Sequence, residues 1–347
     1  MDRKQKILGG LDLAQMVGVE IGPLCGPLVS RQDGEVLYVD HVDTPTLRAK
    51  YANDPAVNID HIVDVDGVWG SNTLSEAIGG RQVDYVVASH VIEHVPDLLG
   101  WLNEIAEVLT ERGELRLAVP DRRFTFDFLR QESRFADVLN AYLHKARAPL
   151  PIEILDFNAE ATFVDLASAW RGDMDPAALQ RFVSDARAIE VAQDAMIHGN
   201  YHDVHCWVFT PRSFAELMRR TALLGLHPYA CIAFHDTAFG ELEFQVALAK
   251  APDRVKAAET WAHMSAQVRA LPEPSLPVVE REAFDHSLAE RIAGLEAERD
   301  RAQEQIIRLR AERDAAAARV SALESSTSWR ISRPLRAIAE RIRAKGA

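Results

Sequence analysis

Two short apolar runs, Val17-Gly18-Val19-Glu20-Ile21 and Val36-Leu37-Tyr38-Val39-Asp40, each carry an acid at or near the end. Gly22 and Gly26 interrupt the chain between them. Short apolar runs bounded by glycine read as strands buried on both faces. A strand, a glycine turn and a second strand tipped by an acid form half of a nucleotide-binding α/β sheet. The turn lets backbone N–H groups approach a ligand, and the second acid can accept hydrogen bonds from ribose hydroxyls.

The same rhythm continues downstream. A third strand falls within residues 62–69, and further strands are predicted at 84–89, 114–120, 229–234 and 242–248. Leu98, Leu102, Ile105 and Leu109 recur at helical spacing, and Glu111-Arg112-Gly113 reads as the turn that ends that helix. Strand, helix and strand at this interval imply right-handed parallel crossovers. Residues 124–205 break the pattern with helical stretches at 124–142 and 176–195 and irregular pieces around Pro149-Leu150-Pro151, and are read as a mostly helical insertion. Thr210 then N-caps a helix with Pro211 at its first position, and Gly225 ends it. The last two strands are expected to close the sheet with an antiparallel edge.

Composition narrows the function classes. At 347 residues and 48% hydrophobic the chain can bury a sizeable core. A net charge of −13 argues against a nucleic-acid binder, since phosphate contacts need a basic surface. Cys25, Cys206 and Cys231 are odd in number and widely spaced, which suits a reducing compartment and neither a disulfide framework nor a zinc motif. The N-terminus lacks the apolar run of a signal peptide, and no stretch reads as a membrane span. A cytoplasmic protein is expected, with the inner face of the membrane as the alternative station.

Beyond the domain at 1–250, residues 251–284 are expected to form a linker, with Leu271-Pro272-Glu273-Pro274-Ser275-Leu276-Pro277 extended. In 285–325 a heptad seam runs through Leu288, Ile292, Leu295, Arg299, Ala302, Ile306, Leu309, Arg313, Ala316, Val320 and Leu323. It implies a coiled-coil helix of roughly 50 Å that pairs with a second copy or a partner protein. A single solvated helix is the alternative. Residues 326–347 form a basic amphipathic tail suited to an anionic membrane surface or a partner; a frayed terminus is the rival reading.

Several motifs together carry a family resemblance. Glu20-Ile21-Gly22 with Gly26, Asp40, Ser89-His90-Val91-Ile92-Glu93-His94-Val95-Pro96-Asp97 and Leu109-Thr110-Glu111-Arg112-Gly113 resemble class I S-adenosylmethionine-dependent methyltransferases. Val119-Pro120-Asp121-Arg122-Arg123-Phe124, Asp203-Val204-His205-Cys206-Trp207 and Phe234-His235-Asp236-Thr237 are similar to the subset found beside bacterial polysaccharide glycosyltransferases. The resemblance implies a Rossmann-like, seven-stranded, mostly parallel sheet and S-adenosylmethionine as cofactor. The acceptor it implies is a hydroxyl of a sugar or surface glycan. Leu24, preceded by Pro23, departs from the family's middle glycine, so a degenerate fold serving as a scaffold in glycan assembly is the alternative. A nicotinamide enzyme is disfavoured, because neither a Gly-x-Gly-x-x-Gly loop nor a Tyr-x-x-x-Lys pair is present.

The resemblance assigns cofactor contacts to Glu20, Gly22, Gly26, Asp40, Asp66 and Ser89, with Trp69 read as core. An alcohol is a poor nucleophile until its proton begins to leave, so a base is needed, and histidine suits neutral pH. His90, His205 and Asp121 are the expected catalytic residues, with His94, His202, Asp203, His235 and Asp236 nearby in sequence terms. No metal ligands are expected, because a histidine-rich set suits magnesium poorly.

Overall fold

A computed structural model describes residues 2–269, apart from 56 and 71, together with 308 and 313. Apart from 308 and 313, the expected coiled coil lies outside the described residues, as do the basic tail and the proline-rich part of the linker.

Seven strands form one sheet: β1 (Val17–Ile21), β2 (Glu35–Asp40), β3 (Gly67–Val68), β4 (Val83–Ser89), β5 (Leu109–Pro120), β6 (Tyr229–His235) and β7 (Glu243–Lys250). Their order is β3-β2-β1-β4-β5-β7-β6, and only β7 runs antiparallel to its neighbours. The order reverses between β1 and β4, which opens a crevice at their carboxyl ends. Ten helices accompany the strands among the described residues: α1 (Arg3–Leu8), α2 (Thr44–Lys50), α3 (Leu74–Ala77), α4 (Leu98–Val108), α5 (Phe135–His144), α6 (Pro151–Glu160), α7 (Leu166–Arg171), α8 (Asp185–His198), α9 (Pro211–Leu224) and α10 (Arg254–Gln267).

Local chemistry explains where these elements start and stop. Asp97 caps α4 by accepting from the Gly100 N–H at 2.8 Å. Thr210 caps α9, Pro211 fills its first position, and Gly225 ends it in the left-handed conformation. The turn expected at 111–113 is instead absorbed into β5 as a bulge, since Leu109 pairs with Val83 while Glu114 already pairs with Tyr85. Pro149-Leu150-Pro151 is no irregular piece: Leu150 flanks α6 and Pro151 opens it, where a missing N–H costs nothing. The second helical stretch begins later than expected, at Asp185, because Ser184 caps it.

The expected linker boundary at 251 is also corrected. Trp261, Met264, Ala257 and Ala258 share one face of α10 and bury it against α9 and β6. Trp261 is fully buried and donates from its ring N–H to the Tyr229 carbonyl at 2.9 Å. The domain therefore continues at least to Gln267. On this face of the sheet α4, α9 and α10 cover the main core; Ile7 and Leu8 of α1 pack the opposite face with Tyr38, Tyr85 and Val87.

A buried acid sets a pH response in the insertion. Glu153 accepts from the Leu150 N–H at 2.8 Å, yet burial dominates and raises its pKa from 4.5 to about 7. A raised folded-state pKa contributes stability that is complete below pH 4.5 and lost as pH rises through about 7. The loss is at most about 3 kcal/mol. Glu153→Gln keeps the acceptor and removes the charge, so it is expected to flatten stability between pH 5 and 8 and to raise it by ~1–3 kcal/mol at pH 8. Urea unfolding across that range checks it; an unchanged slope would sink the assignment.

Candidate active site

The glycine loop after β1 is held from below by Glu20. This buried carboxylate accepts the Leu28 N–H at 2.7 Å and the Val29 N–H at 2.9 Å. Burial raises its pKa, with the two backbone donors opposing. Expected as a cofactor contact, Glu20 instead anchors the loop through both carboxylate oxygens. Gly22 adopts φ +67°, and a Cβ there would lie 3.1 Å from Val91 Cγ2. Above Gly26 no atom lies within 4 Å of where a Cβ would sit, so that side of the loop is open.

Leu24 takes φ +46°, the left-handed region where glycine is at ease. The backbone thus keeps a glycine-like course through a residue that pays about 1–2 kcal/mol for it. Its carbonyl accepts the Val63 N–H at 3.0 Å, which fixes the course. Leu24→Gly is expected to change stability by no more than ~1 kcal/mol, relief of strain being offset by glycine's backbone entropy. Titration calorimetry should find ligand affinity nearly unaltered; a large loss would make the leucine side chain itself a contact.

Asp40 ends β2 at the crevice, 6% exposed. His41 donates its backbone N–H to Asp40 Oδ1 at 2.7 Å, and His41 Nδ1 lies 2.5 Å from the same oxygen. Oδ2 has no hydrogen-bond partner among the described residues, which leaves it for a ligand. Asp66 is not so placed. It accepts from Arg31 Nη2 at 2.8 Å and from the Tyr38 N–H at 2.8 Å, so it ties the chain ahead of β2 to β2 itself instead. Trp69 packs against the core and donates to Glu104 at 3.1 Å.

At the ends of β4 and β5 the expected residues part ways. Asp121 is fully buried and spent: it binds Arg123 through three guanidinium contacts, the Arg123 N–H, and the Thr237 hydroxyl at 2.8 Å. It caps a short turn and has no freedom to act as a base, which corrects the sequence expectation. Ser89 accepts from Arg3 Nη2 at 2.6 Å. Arg3 also clasps Glu243, whose Oε2 lies 2.6 Å from His90 Nε2. Burial resists the charge on Glu243, but His90 and Arg3 hold its carboxyl at about 2. Burial likewise opposes charge on His90, and the bond to Glu243 outweighs it and raises the imidazole pKa. His90 sits at φ +54°, a strained conformation of the kind that clusters at functional sites.

His205 lies in a cluster the sequence only half revealed. The Glu93 carbonyl accepts the Cys206 and Trp207 N–H groups at 2.7 and 3.1 Å, and Trp207 Nε1 donates to the Val95 carbonyl at 2.6 Å. These bonds lay residues 203–209 along the turn that holds Glu93 and His94. The His94 and His205 rings meet edge to face at 4.6 Å. His205 Nδ1 is 2.6 Å from Asp127 Oδ2, and Arg130 Nη1 donates to Asp127 Oδ1 at 2.7 Å. Burial disfavours charge on Asp127, but His205 and Arg130 overcome it and keep its pKa low. His94 Nδ1 is 3.0 Å from Asp203 Oδ1, while Lys50 Nζ donates to Asp203 Oδ2 at 3.1 Å and approaches His41 Nε2 at 3.5 Å. A polar chain therefore runs from Asp40 to His94. His202 turns away to Asp194 at 2.8 Å, and Asp236 holds Arg269. His235 ends β6, the edge strand of the sheet. Glu93, Asp127 and Glu243 were missed; the spacing His90, Glu93, His94 was the available signal for the first.

A sequence model of the methyltransferase domain matches residues 13–223, more than half of the chain. The chain belongs to this methyltransferase family. It is an S-adenosylmethionine-dependent methyltransferase. No curated protein sequence matches it. Among solved structures, the CcbJ methyltransferase from Streptomyces caelestis is 12% identical, covers 72% of this chain and 94% of its own, and has a TM-score of 0.33. The ribosomal protein L11 methylase from Lactobacillus delbrueckii subsp. bulgaricus is 10% identical, covers 68% and 70%, and has a TM-score of 0.27.

The crevice fits the cofactor. A nucleoside needs a carboxylate oxygen at the end of the second strand, and Asp40 Oδ2 is open there. The methionine portion needs close backbone, and Gly22 and Gly26 present it without side chains. S-adenosylmethionine brings its own activated methyl group, so this methyltransferase has only to hold it, align the acceptor and manage one proton. Among the described residues no helix is long and apolar enough to cross a membrane.

Proposed function

We propose that this methyltransferase methylates a hydroxyl oxygen of a sugar or growing surface glycan. The observation that carries the reading is an aromatic tier between the end of β5 and the start of β7. Phe124 stacks on Trp170 at 4.0 Å with an interplanar angle of 8°, and Trp170 meets Phe239 at 5.3 Å. Phe239 is 80% exposed, and Trp170 is pinned by a 2.9 Å bond to the Glu241 carbonyl. Aromatic faces of this kind suit the C–H faces of a pyranose ring, while its hydroxyls stay free for polar groups.

His90 stands at the same edge. Its Nε2 is committed to Glu243, which leaves Nδ1 to take the hydroxyl proton as the methyl group transfers. A carboxylate behind an imidazole stabilises the cation that forms. Alignment of the two reactants supplies most of the rate, up to about 7–11 kcal/mol. Asp40, Gly22 and Gly26 hold the cofactor in this scheme, and Glu20, Asp66 and Asp121 support the loops around it.

The full chain, supplied with S-adenosylmethionine and a panel of free sugars, nucleotide sugars and short glycans, is expected to release the demethylated cofactor and form a methyl ether visible by mass spectrometry. Turnover confined to amine or carbon acceptors would overturn the acceptor class. Residues 285–325 are proposed to pair two chains or dock a glycan-assembly partner, and 326–347 to contact an anionic surface. Light scattering of the full chain should give a dimer mass, and sedimentation with anionic vesicles should pull it down.

A further inference from the structure

We propose that Glu93, His94 and His205 bind a divalent transition-metal ion. One ligand atom from each residue lies within 4.8 Å of those of the other two. The second observation is independent of that spacing. Glu93 is fully buried, and neither of its carboxylate oxygens has a hydrogen-bond partner. A buried carboxylate with no partner is costly, and native structures explain such groups by a missing ion or water. Its nearest imidazole nitrogens, His90 Nδ1 at 3.6 Å and His205 Nε2 at 3.8 Å, stand too far off for a hydrogen bond. Ligands about 2.1 Å from a shared tetrahedral ion are about 3.4 Å apart, so the Glu93–His205 pair at 3.8 Å needs a small inward shift, and pairs up to 4.8 Å apart need His94 to move inward further.

The histidines are prepared for the same role. Asp127 takes Nδ1 of His205, and Asp203 takes Nδ1 of His94. Each bond leaves the other ring nitrogen, Nε2, for an ion; that of His205 lies 3.8 Å from Glu93, in the carboxylate–histidine arrangement that orients metal-binding imidazoles. Two nitrogens and one carboxylate suit zinc, manganese, iron(II) or cobalt rather than magnesium. Three protein ligands leave coordination positions open, as in sites where the ion meets a substrate. The cluster follows β4 at the ligand edge of the sheet, so hydroxyl oxygens of an acceptor are the donors it would take. That last role rests on the proposed acceptor class; the binding site rests on the side chains alone.

The test needs no acceptor. Tag-free full-length protein is stripped with a chelator and titrated with Co²⁺ or Mn²⁺ alone, by visible absorption and by calorimetry. One equivalent is expected to bind, with visible cobalt bands and a rise in the melting temperature. Glu93→Gln and His94→Gln are expected to weaken binding at least about 100-fold, beyond what outer partners of a ligand contribute. Without metal, Glu93→Gln should be at least as stable as the parent, since it replaces a buried carboxyl group that has no hydrogen-bond partner; this shows that loss of binding is not loss of fold. Absence of stoichiometric binding by the folded parent protein overturns the site, as does binding that both variants leave unchanged. Either result stands whether or not sugars prove to be acceptors.

Discussion

Asp40→Ala is expected to weaken S-adenosylmethionine binding at least about 100-fold, because two charge-assisted hydrogen bonds to ribose hydroxyls are lost at about 1.5–3 kcal/mol each. The fold should survive. Asp40 holds its strand and neighbours mainly through the backbone, where its carbonyl accepts the Trp69 N–H at 2.8 Å. Among the described residues its side chain hydrogen-bonds only with His41, leaving Oδ2 for the ligand. Calorimetry with the cofactor and its demethylated product, beside thermal unfolding of the same samples, separates the two effects. Asp40→Asn keeps the shape and loses the charge, so its affinity should fall between the parent and alanine. Unchanged binding in Asp40→Ala would remove the ribose from the end of β2 and with it the placement of the whole cofactor.

Asp127→Ala is expected to destabilise the protein by about 3–5 kcal/mol, the range for removing one member of a buried charge network. Asp127 is 2% exposed and Arg130 1% exposed. The substitution leaves the guanidinium with Asp156 at 2.8 Å as its remaining carboxylate and strips His205 of its orienting partner. Against a typical stability of about 5–15 kcal/mol, a loss of this size is a large share. Urea unfolding measures it directly. Pairing Asp127→Leu with Arg130→Met removes both charges, and the double variant should recover part of the loss because well-packed apolar replacements of buried ion pairs are often tolerated. A cost below about 1 kcal/mol for Asp127→Ala would mean that the network is solvated and carries little weight.

Much of the fold was legible because it is written in local patterns. Apolar runs with glycine or proline at their ends marked seven strands, and Thr210, Pro211 and Gly225 marked α9 to the residue. The errors fell where tertiary burial overrode local signals. Pro149-Leu150-Pro151 looked like a break, but a proline at a first helical position starts a helix as readily as it ends one. The region after 251 looked like linker because Trp261 and Met264 are too sparse to signal a buried face without α9 to bury it.

The site was less legible. Asp40 was legible as a candidate because it ends β2, and the structure keeps it at that strand end. Asp121 follows the end of β5, while Asp66 precedes β3 rather than ending it; Arg31 and Arg123 claim these two acids, and no spacing rule announces such partners. Leu24 looked like a broken motif, whereas its φ of +46° shows the same backbone course in a different residue.

The sequence by itself determined the sheet, its glycine loop and the acid that ends β2, since each depends on residues close together along the chain. Only the tertiary structure decided which charged groups are free. Glu93 meets His205 across 112 positions of chain, and His90 meets Glu243 across 153. Such pairings are fixed by packing of the insertion and of β7 against the crevice. Burial then sets their energies, because low local polarity makes a carboxylate without a hydrogen-bond partner costly.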